Sequence, residues 1–88
     1  MSEAVIIGAV RTPVGNYGGS LRNLPAYDLS ALVLNELVRR AKVEPALIDT
    51  VIMGQNYQSG EYVNIARMSL LKAGWPDDIP ALTLDRRC

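Results

Sequence analysis

Short apolar segments rich in β-branched residues alternate with helix-forming segments along this chain, and the alternation limits its fold more than any other feature. Residues 4–10 form a continuous apolar run that fits a strand buried on both faces. Residues 50–53, which Gly54 ends, and residues 80–86 predict two further strands. Since strands separated by helical crossovers are typical of α/β folds, the sequence predicts the order β-α-β-α-β and a mostly parallel sheet.

Start and stop signals mark both predicted helices. Pro25 opens the first, where its missing N–H leaves no hydrogen bond unmade, and basic side chains suit its carboxyl end. Its broad apolar face predicts a helix that more than one neighbour covers. Asn64 caps the second helix, expected over residues 65–73, and Gly74 followed by Pro76 ends it.

Charge and residue usage exclude several classes of protein. Nine Lys and Arg residues balance nine Asp and Glu residues, which argues against a nucleic-acid partner because such proteins carry a basic excess. No apolar run approaches the roughly 18 residues of a membrane span, and no signal peptide is visible, so no membrane partner and a cytoplasmic location are expected. Without histidine, no His-based proton transfer or metal site is complete within these 88 residues.

Most polar and glycine-rich features have a structural explanation. Residues 15–20 read GNYGGS after the first predicted strand, but they match neither the P-loop nor the dinucleotide-binding spacing. We therefore expect the glycines to permit a positive φ in a folded-back loop. Trp75 is interpreted as a packing anchor, and Asp77 and Asp78 as a solvated turn. No pair of carboxylates has the setting that general acid–base catalysis requires.

Cys88 differs in kind because it directly follows the third predicted strand. Functional atoms in α/β folds lie at the carboxyl ends of strands. A helix beginning at this point would stabilise a thiolate through its aligned amide dipoles. A single cysteine is also commonly a small buried apolar side chain, so the residues alone leave both interpretations open. One cysteine excludes an internal disulfide.

A series of motifs occurs in an order and spacing that are specific only in combination. They are residues 9–15 (AVRTPVG), 18–21 (GGSL) and 51–54 (VIMG), then Gln58, Gly60, Asn64, Ala66 and Arg67, and finally residues 72–76 (KAGWP) and 83–88 (TLDRRC). Together they resemble the N-terminal portion of the thiolase family, the acyl-CoA acetyltransferases, over essentially the whole chain.

This resemblance implies a layered αβαβα fold of about four hundred residues, in which residues 1–88 are an incomplete part of the N-terminal domain. It also implies ping-pong acyl transfer between coenzyme A thioesters, with Cys88 carrying the acyl group. The reaction forms or cleaves acetoacetyl-CoA or a longer 3-ketoacyl-CoA in fatty acid metabolism. The implied substrates are acyl-CoA thioesters and the implied cofactors are none. The remainder of the thiolase chain would supply the second cysteine, the histidines and the oxyanion donors, in a homodimer or homotetramer.

Three positions depart from the pattern of the family. Asp85 stands where asparagine is common, and a carboxylate three residues from Cys88 disfavours the thiolate unless Arg86 or Arg87 neutralises it. Arg87 replaces an apolar residue, and Ile65 replaces a proline at the start of the second helix. Two alternatives to a thiolase stay open. One is a related condensing enzyme of the ketoacyl synthase or hydroxymethylglutaryl-CoA synthase type, and the other is an inactive thiolase-like scaffold subunit.

Overall fold

A computed structural model describes residues 3–86, in which one helix packs against both strands of a parallel sheet and a second helix packs against the first. The elements in chain order are helix α1 (Ala26–Ala41), a 3₁₀ turn (Pro45–Leu47), strand β1 (Val51–Gly54), helix α2 (Ile65–Lys72) and strand β2 (Ala81–Leu84). The α/β class and the parallel pairing predicted from the sequence are confirmed.

The helix boundaries follow the local signals in the sequence. Pro25 is the residue that precedes α1, and Arg39 and Arg40 lie in its last turn, where positive charge offsets the helix dipole. Lys42 ends α1 in a left-handed conformation with a φ of 56°. Gly74 follows α2 with a φ of 81°, a value that a residue without Cβ adopts at little cost. Both predicted helices are therefore confirmed.

The core lies where α1, α2 and the sheet meet. β1 pairs with β2 in register from Val51 opposite Ala81 to Gly54 opposite Leu84. Alternate strand residues turn toward α2, as the two-residue period of a strand requires. The buried cluster consists of Leu34, Val51, Ala66, Leu70, Trp75 and Ile79. On the other face of the sheet, Ile52 and Leu82 are 58% and 49% exposed, so this face is apolar and uncovered.

The strand predicted at residues 4–10 is absent from the described structure. This segment has no β-ladder partner, and Ile6 is 92% exposed. At Gly8 the segment approaches α1 so closely that an added Cβ would lie 3.1 Å from Leu37 Cδ1.

An open cavity of about 380 Å³ is bordered by both this segment and the start of β1. The cavity is lined by Ile6 and Ile7 of the segment and by Thr50 and Ile52 at the edge of β1. The prediction that this run is buried on both faces is also wrong in the described structure, because Val5, Ile6 and Ile7 are 71%, 92% and 67% exposed. An apolar composition does not by itself form a strand, which also requires an adjacent edge within hydrogen-bonding distance. The observed order is therefore α-β-α-β rather than the predicted β-α-β-α-β.

Trp75 anchors the end of α2 to α1. The indole is 7% exposed and packs in the core, as predicted. Its Nε1 donates to Asn35 Oδ1 at 2.9 Å, and Asn35 Nδ2 donates to the carbonyl of Ala73 at 3.3 Å. One carboxamide therefore joins α1 to the residues that follow α2.

Substituting Asn35→Ala is expected to reduce the free energy of unfolding by about 1–3 kcal/mol, because it leaves a buried indole N–H without an acceptor. Urea unfolding of the protein measures this loss. The control is Trp75→Phe, which removes the donor itself. If the unpaired N–H is the cause, Trp75→Phe is less destabilising in the Asn35→Ala background than in the wild type. Strictly additive losses would show that the hydrogen bond contributes little.

Candidate functional site

Both strands end at the same edge of the sheet, which we term the carboxyl edge and define by Gly54, Gln55, Leu84 and Asp85. The backbone N–H of Gln55 donates to the carbonyl of Leu84 at 3.0 Å, so pairing continues one step beyond β1. Asp85 and Arg86 follow as exposed residues. Cys88, the predicted nucleophile, lies outside the described residues. The structure therefore fixes the chain up to two residues before this cysteine.

Two polar side chains connect the start of α2 to β2. Asn64 Oδ1 accepts from the backbone N–H of Arg67 at 3.1 Å and from Thr83 Oγ1 at 2.7 Å. Asn64 Nδ2 donates to the carbonyl of Ala81 at 3.1 Å. The backbone N–H of Ala66 donates to Thr83 Oγ1 at 3.2 Å. We term these four hydrogen bonds the Asn64–Thr83 latch.

The sequence revealed only half of this arrangement. Asparagine is a favoured helix N-cap because its side-chain oxygen accepts from a first-turn N–H, and this prediction for Asn64 is confirmed. Local sequence does not predict the role of Thr83, which lies on β2 and accepts from the backbone N–H of Ala66 in the first turn of α2. The sequence feature that is consistent with this role is a hydroxyl at a strand position that faces the core by the two-residue alternation. A polar group on that side requires a hydrogen-bond partner.

Arg67 holds the turn that leads into β2. Its Nη1 donates to the carbonyls of Asp77 and Ile79, at 2.5 Å and 3.4 Å. The side chains of Asp77 and Asp78 are exposed, as predicted for a solvated turn. Since Arg67 lies in α2, the same helix holds both the approach to β2 and, through the latch, the strand itself.

The electrostatically perturbed carboxylate in the described chain lies on α1 and on neither strand. Hydrogen bonds from Arg39 and then Arg40, in order of effect, lower the pKa of Glu36 from 4.5 to about 2. Glu36 in turn raises the pKa of Arg39. These residues are one turn apart on an exposed helix face, where such ion pairs are common. A carboxylate held in its ionised form is unsuited to general acid catalysis near neutral pH.

Residues 3–86 contain no group of three or more acidic or cysteine side chains that could hold a metal ion. None of the described helices is long and apolar enough to cross a membrane. In the glycine-rich loop, the predicted positive φ occurs at Gly18, at 69°, but not at Gly15 or Gly19. The cavity of about 380 Å³ opens at the start of β1, at the end opposite the carboxyl edge.

Comparison with known proteins assigns this arrangement to a family. The sequence model described as "Thiolase, N-terminal domain" matches residues 4–88. The chain is 38% identical over 88 residues to a probable acetyl-CoA acyltransferase of Staphylococcus aureus. It is 45% identical over 89 residues to a steroid 3-ketoacyl-CoA thiolase of Mycobacterium tuberculosis. Each alignment covers 100% of this chain and 22% of the relative.

A solved structure gives the same result for the fold. The crystal structure of the Bacillus anthracis acetyl-CoA acetyltransferase superimposes with a TM-score of 0.91 and 43% sequence identity. The match covers 96% of this chain and 21% of that chain. The chain thus spans about a fifth of the length of the proteins it resembles.

Proposed function

Because the chain belongs to the thiolase family, we propose that residues 1–88 are the first part of the N-terminal domain of an acyl-CoA acyltransferase whose nucleophile is Cys88. The observation that carries this proposal is that the family match continues past β2 to residue 88. Parallel strands deliver functional groups at their carboxyl ends, and β2 leads toward Cys88 from that edge.

The proposed reaction is a ping-pong acyl transfer. The thiolate of Cys88 attacks the carbonyl carbon of an acyl-CoA, the bond from that carbon to the coenzyme A sulfur breaks, and coenzyme A leaves as a thiol after taking up a proton. The acyl group then remains on Cys88 as a thioester. In the second half, the α-carbon of another acyl-CoA loses a proton to a base, attacks the acyl carbon and releases the Cys88 thiolate.

In this proposal, residues 3–86 hold the strand that leads to Cys88 but do not contain all the groups that the reaction needs. Acyl transfer requires a base and donors for the oxyanion in addition to the sulfur, and residues beyond 88 would provide them. Asp85 precedes Cys88 by three residues, and its carboxylate would raise the pKa of the thiol. A helix starting at Cys88 and the nearby Arg86 and Arg87 would oppose this effect.

The substrates proposed are coenzyme A thioesters, with no resident cofactor. The product would be acetoacetyl-CoA or a longer 3-ketoacyl-CoA, or the same compounds would be cleaved in the reverse direction. A homodimer or homotetramer in the cytoplasm is proposed for the complete protein. The apolar, uncovered face of the sheet at Ile52 and Leu82 is compatible with burial against further protein, because exposed apolar patches mark contact surfaces.

Alkylation of the full-length protein by iodoacetamide tests this proposal. We expect Cys88 to be modified rapidly near neutral pH, because an activated thiolate reacts faster than an ordinary thiol, and we expect acetyl-CoA to protect it. Cleavage of acetoacetyl-CoA by free coenzyme A distinguishes a thiolase from a condensing synthase. An unreactive Cys88 together with no cleavage would instead indicate a thiolase-like scaffold.

A further inference from the structure

We propose that the Asn64–Thr83 latch positions Cys88 for reaction, with Asn64 and Thr83 acting through β2 as positioning residues. This inference rests on the proposed role of Cys88 as the nucleophile. The two residues do not need to touch the substrate or the sulfur. They fix the strand from which the segment carrying the sulfur departs.

The latch uses the hydrogen-bonding capacity of both side chains. Asn64 Oδ1 accepts two hydrogen bonds and its Nδ2 donates one, while Thr83 Oγ1 accepts one and donates one. The donors that they satisfy include the first-turn amides of Ala66, which is fully buried, and Arg67. Moving β2 away from α2 would break the three latch hydrogen bonds that reach β2 and leave their partly buried donors and acceptors unpaired, which is unfavourable.

The latch restrains β2 in a direction that pairing with β1 does not restrain. Pairing with β1, ending in the hydrogen bond from Gln55 to Leu84, fixes β2 within the plane of the sheet. Position perpendicular to that plane depends on what packs against each face. On one face lies α2 with the latch, and on the other Leu82 and Leu84 are 49% and 42% exposed. Within the described chain, therefore, α2 determines the position of the end of β2 perpendicular to the sheet.

A small displacement of β2 in this perpendicular direction is expected to have a large effect on acyl transfer. Reactive groups must be held within about 0.5 Å of the productive geometry, and a misplacement of about 1 Å lowers a rate by about a hundredfold. Leu84 is the last residue of β2, and Cys88 follows four residues later. Because only three residues separate Leu84 from Cys88 in the sequence, we expect a shift of β2 relative to α2 to displace Cys88 as well.

Kinetics of the full-length protein carrying Thr83→Val test the inference. Valine keeps the shape of threonine and removes the hydroxyl. We expect kcat for acetoacetyl-CoA cleavage to fall about 10- to 100-fold with little change in KM, and the alkylation of Cys88 to slow in parallel. Thr83→Ser restores the hydroxyl and is expected to remain within about twofold of the wild type. Asn64→Ser is the alternative test if Thr83→Val does not fold. Serine keeps an oxygen that caps α2 but cannot reach Ala81, and this variant is also expected to lower kcat.

Asn35→Ala serves as the matched control, because it also removes side-chain hydrogen bonds between elements but acts at the other end of α2. We expect it to lower the melting temperature without lowering kcat at temperatures well below melting. The inference is overturned if Thr83→Val and Asn64→Ser retain wild-type kcat, or if Asn35→Ala reduces kcat as much for the same loss of stability. If wild-type Cys88 resists alkylation, the proposed function fails first and this inference fails with it.

Discussion

Replacing Cys88 with serine in the full-length protein is expected to lower kcat for acyl transfer by at least about a thousandfold. A thiol loses its proton with a pKa near 8.5 and lower beside a helix N-terminus. A serine hydroxyl stays protonated near neutral pH unless a base removes its proton in the same step. Since the proposed reaction starts with a sulfur anion, the variant loses the nucleophile while the described fold keeps all its contacts. The rate of acetoacetyl-CoA cleavage by free coenzyme A measures the effect.

A second measurement separates lost chemistry from lost folding or binding. Acid quenching after mixing with acetyl-CoA, followed by digestion and mass spectrometry, should find one acetyl group on the wild-type peptide that contains Cys88 and none on the Cys88→Ser peptide. The melting temperatures of the two proteins should agree closely. Wild-type activity in Cys88→Ser, or an acetyl group on another residue, would contradict the assignment of the nucleophile.

Local signals in the sequence were sufficient for the helices and for two strands. Asn64 caps α2 as predicted because an N-cap is decided by one side chain and the first turn beside it. Gly74 ends the same helix for an equally local reason, since its φ is positive. β1 and β2 were predicted from short apolar runs separated by a helix, and their parallel pairing follows from the length of that connection.

Features that depend on distant partners were predicted less well. Residues 4–10 have the composition of a buried strand, yet they form no ladder with β1 or β2 in the described structure. The role of Thr83 is not evident from local sequence because it depends on α2, which begins 18 residues earlier in the chain. The role of Cys88 could not be derived from its neighbours either, because the reactivity of a thiol depends on surroundings that the sequence does not reveal. The assignment of Cys88 as the nucleophile rests instead on the resemblance of residues 83–88 to the thiolase pattern.

Substituting Leu70→Ala is expected to reduce the free energy of unfolding by about 2–5 kcal/mol. Leu70 is fully buried, and its cluster joins α1, α2, β1 and the residues just before β2. Removing most of its side chain sacrifices the burial of apolar surface and leaves a cavity that rigid neighbours on several sides fill only in part. The backbone N–H of Trp75 also donates to the Leu70 carbonyl at 3.0 Å, which limits how far this part of α2 can move inward.

Leu47→Ala provides the matched control because the chemical change is identical and the side chain is 72% exposed. Surface substitutions of this kind usually alter the free energy of unfolding by less than about 0.5 kcal/mol. Urea denaturation of both variants, with the slopes compared to confirm that the unfolding transition is unchanged, measures the difference. Similar losses in the two variants would show that the cluster around Leu70 is not what stabilises this part of the protein. A large loss of unfolding free energy confined to Leu70→Ala would show that the packing of its buried side chains holds α2 in place. The latch requires such a firmly held α2 if it is to fix the position of β2 perpendicular to the sheet.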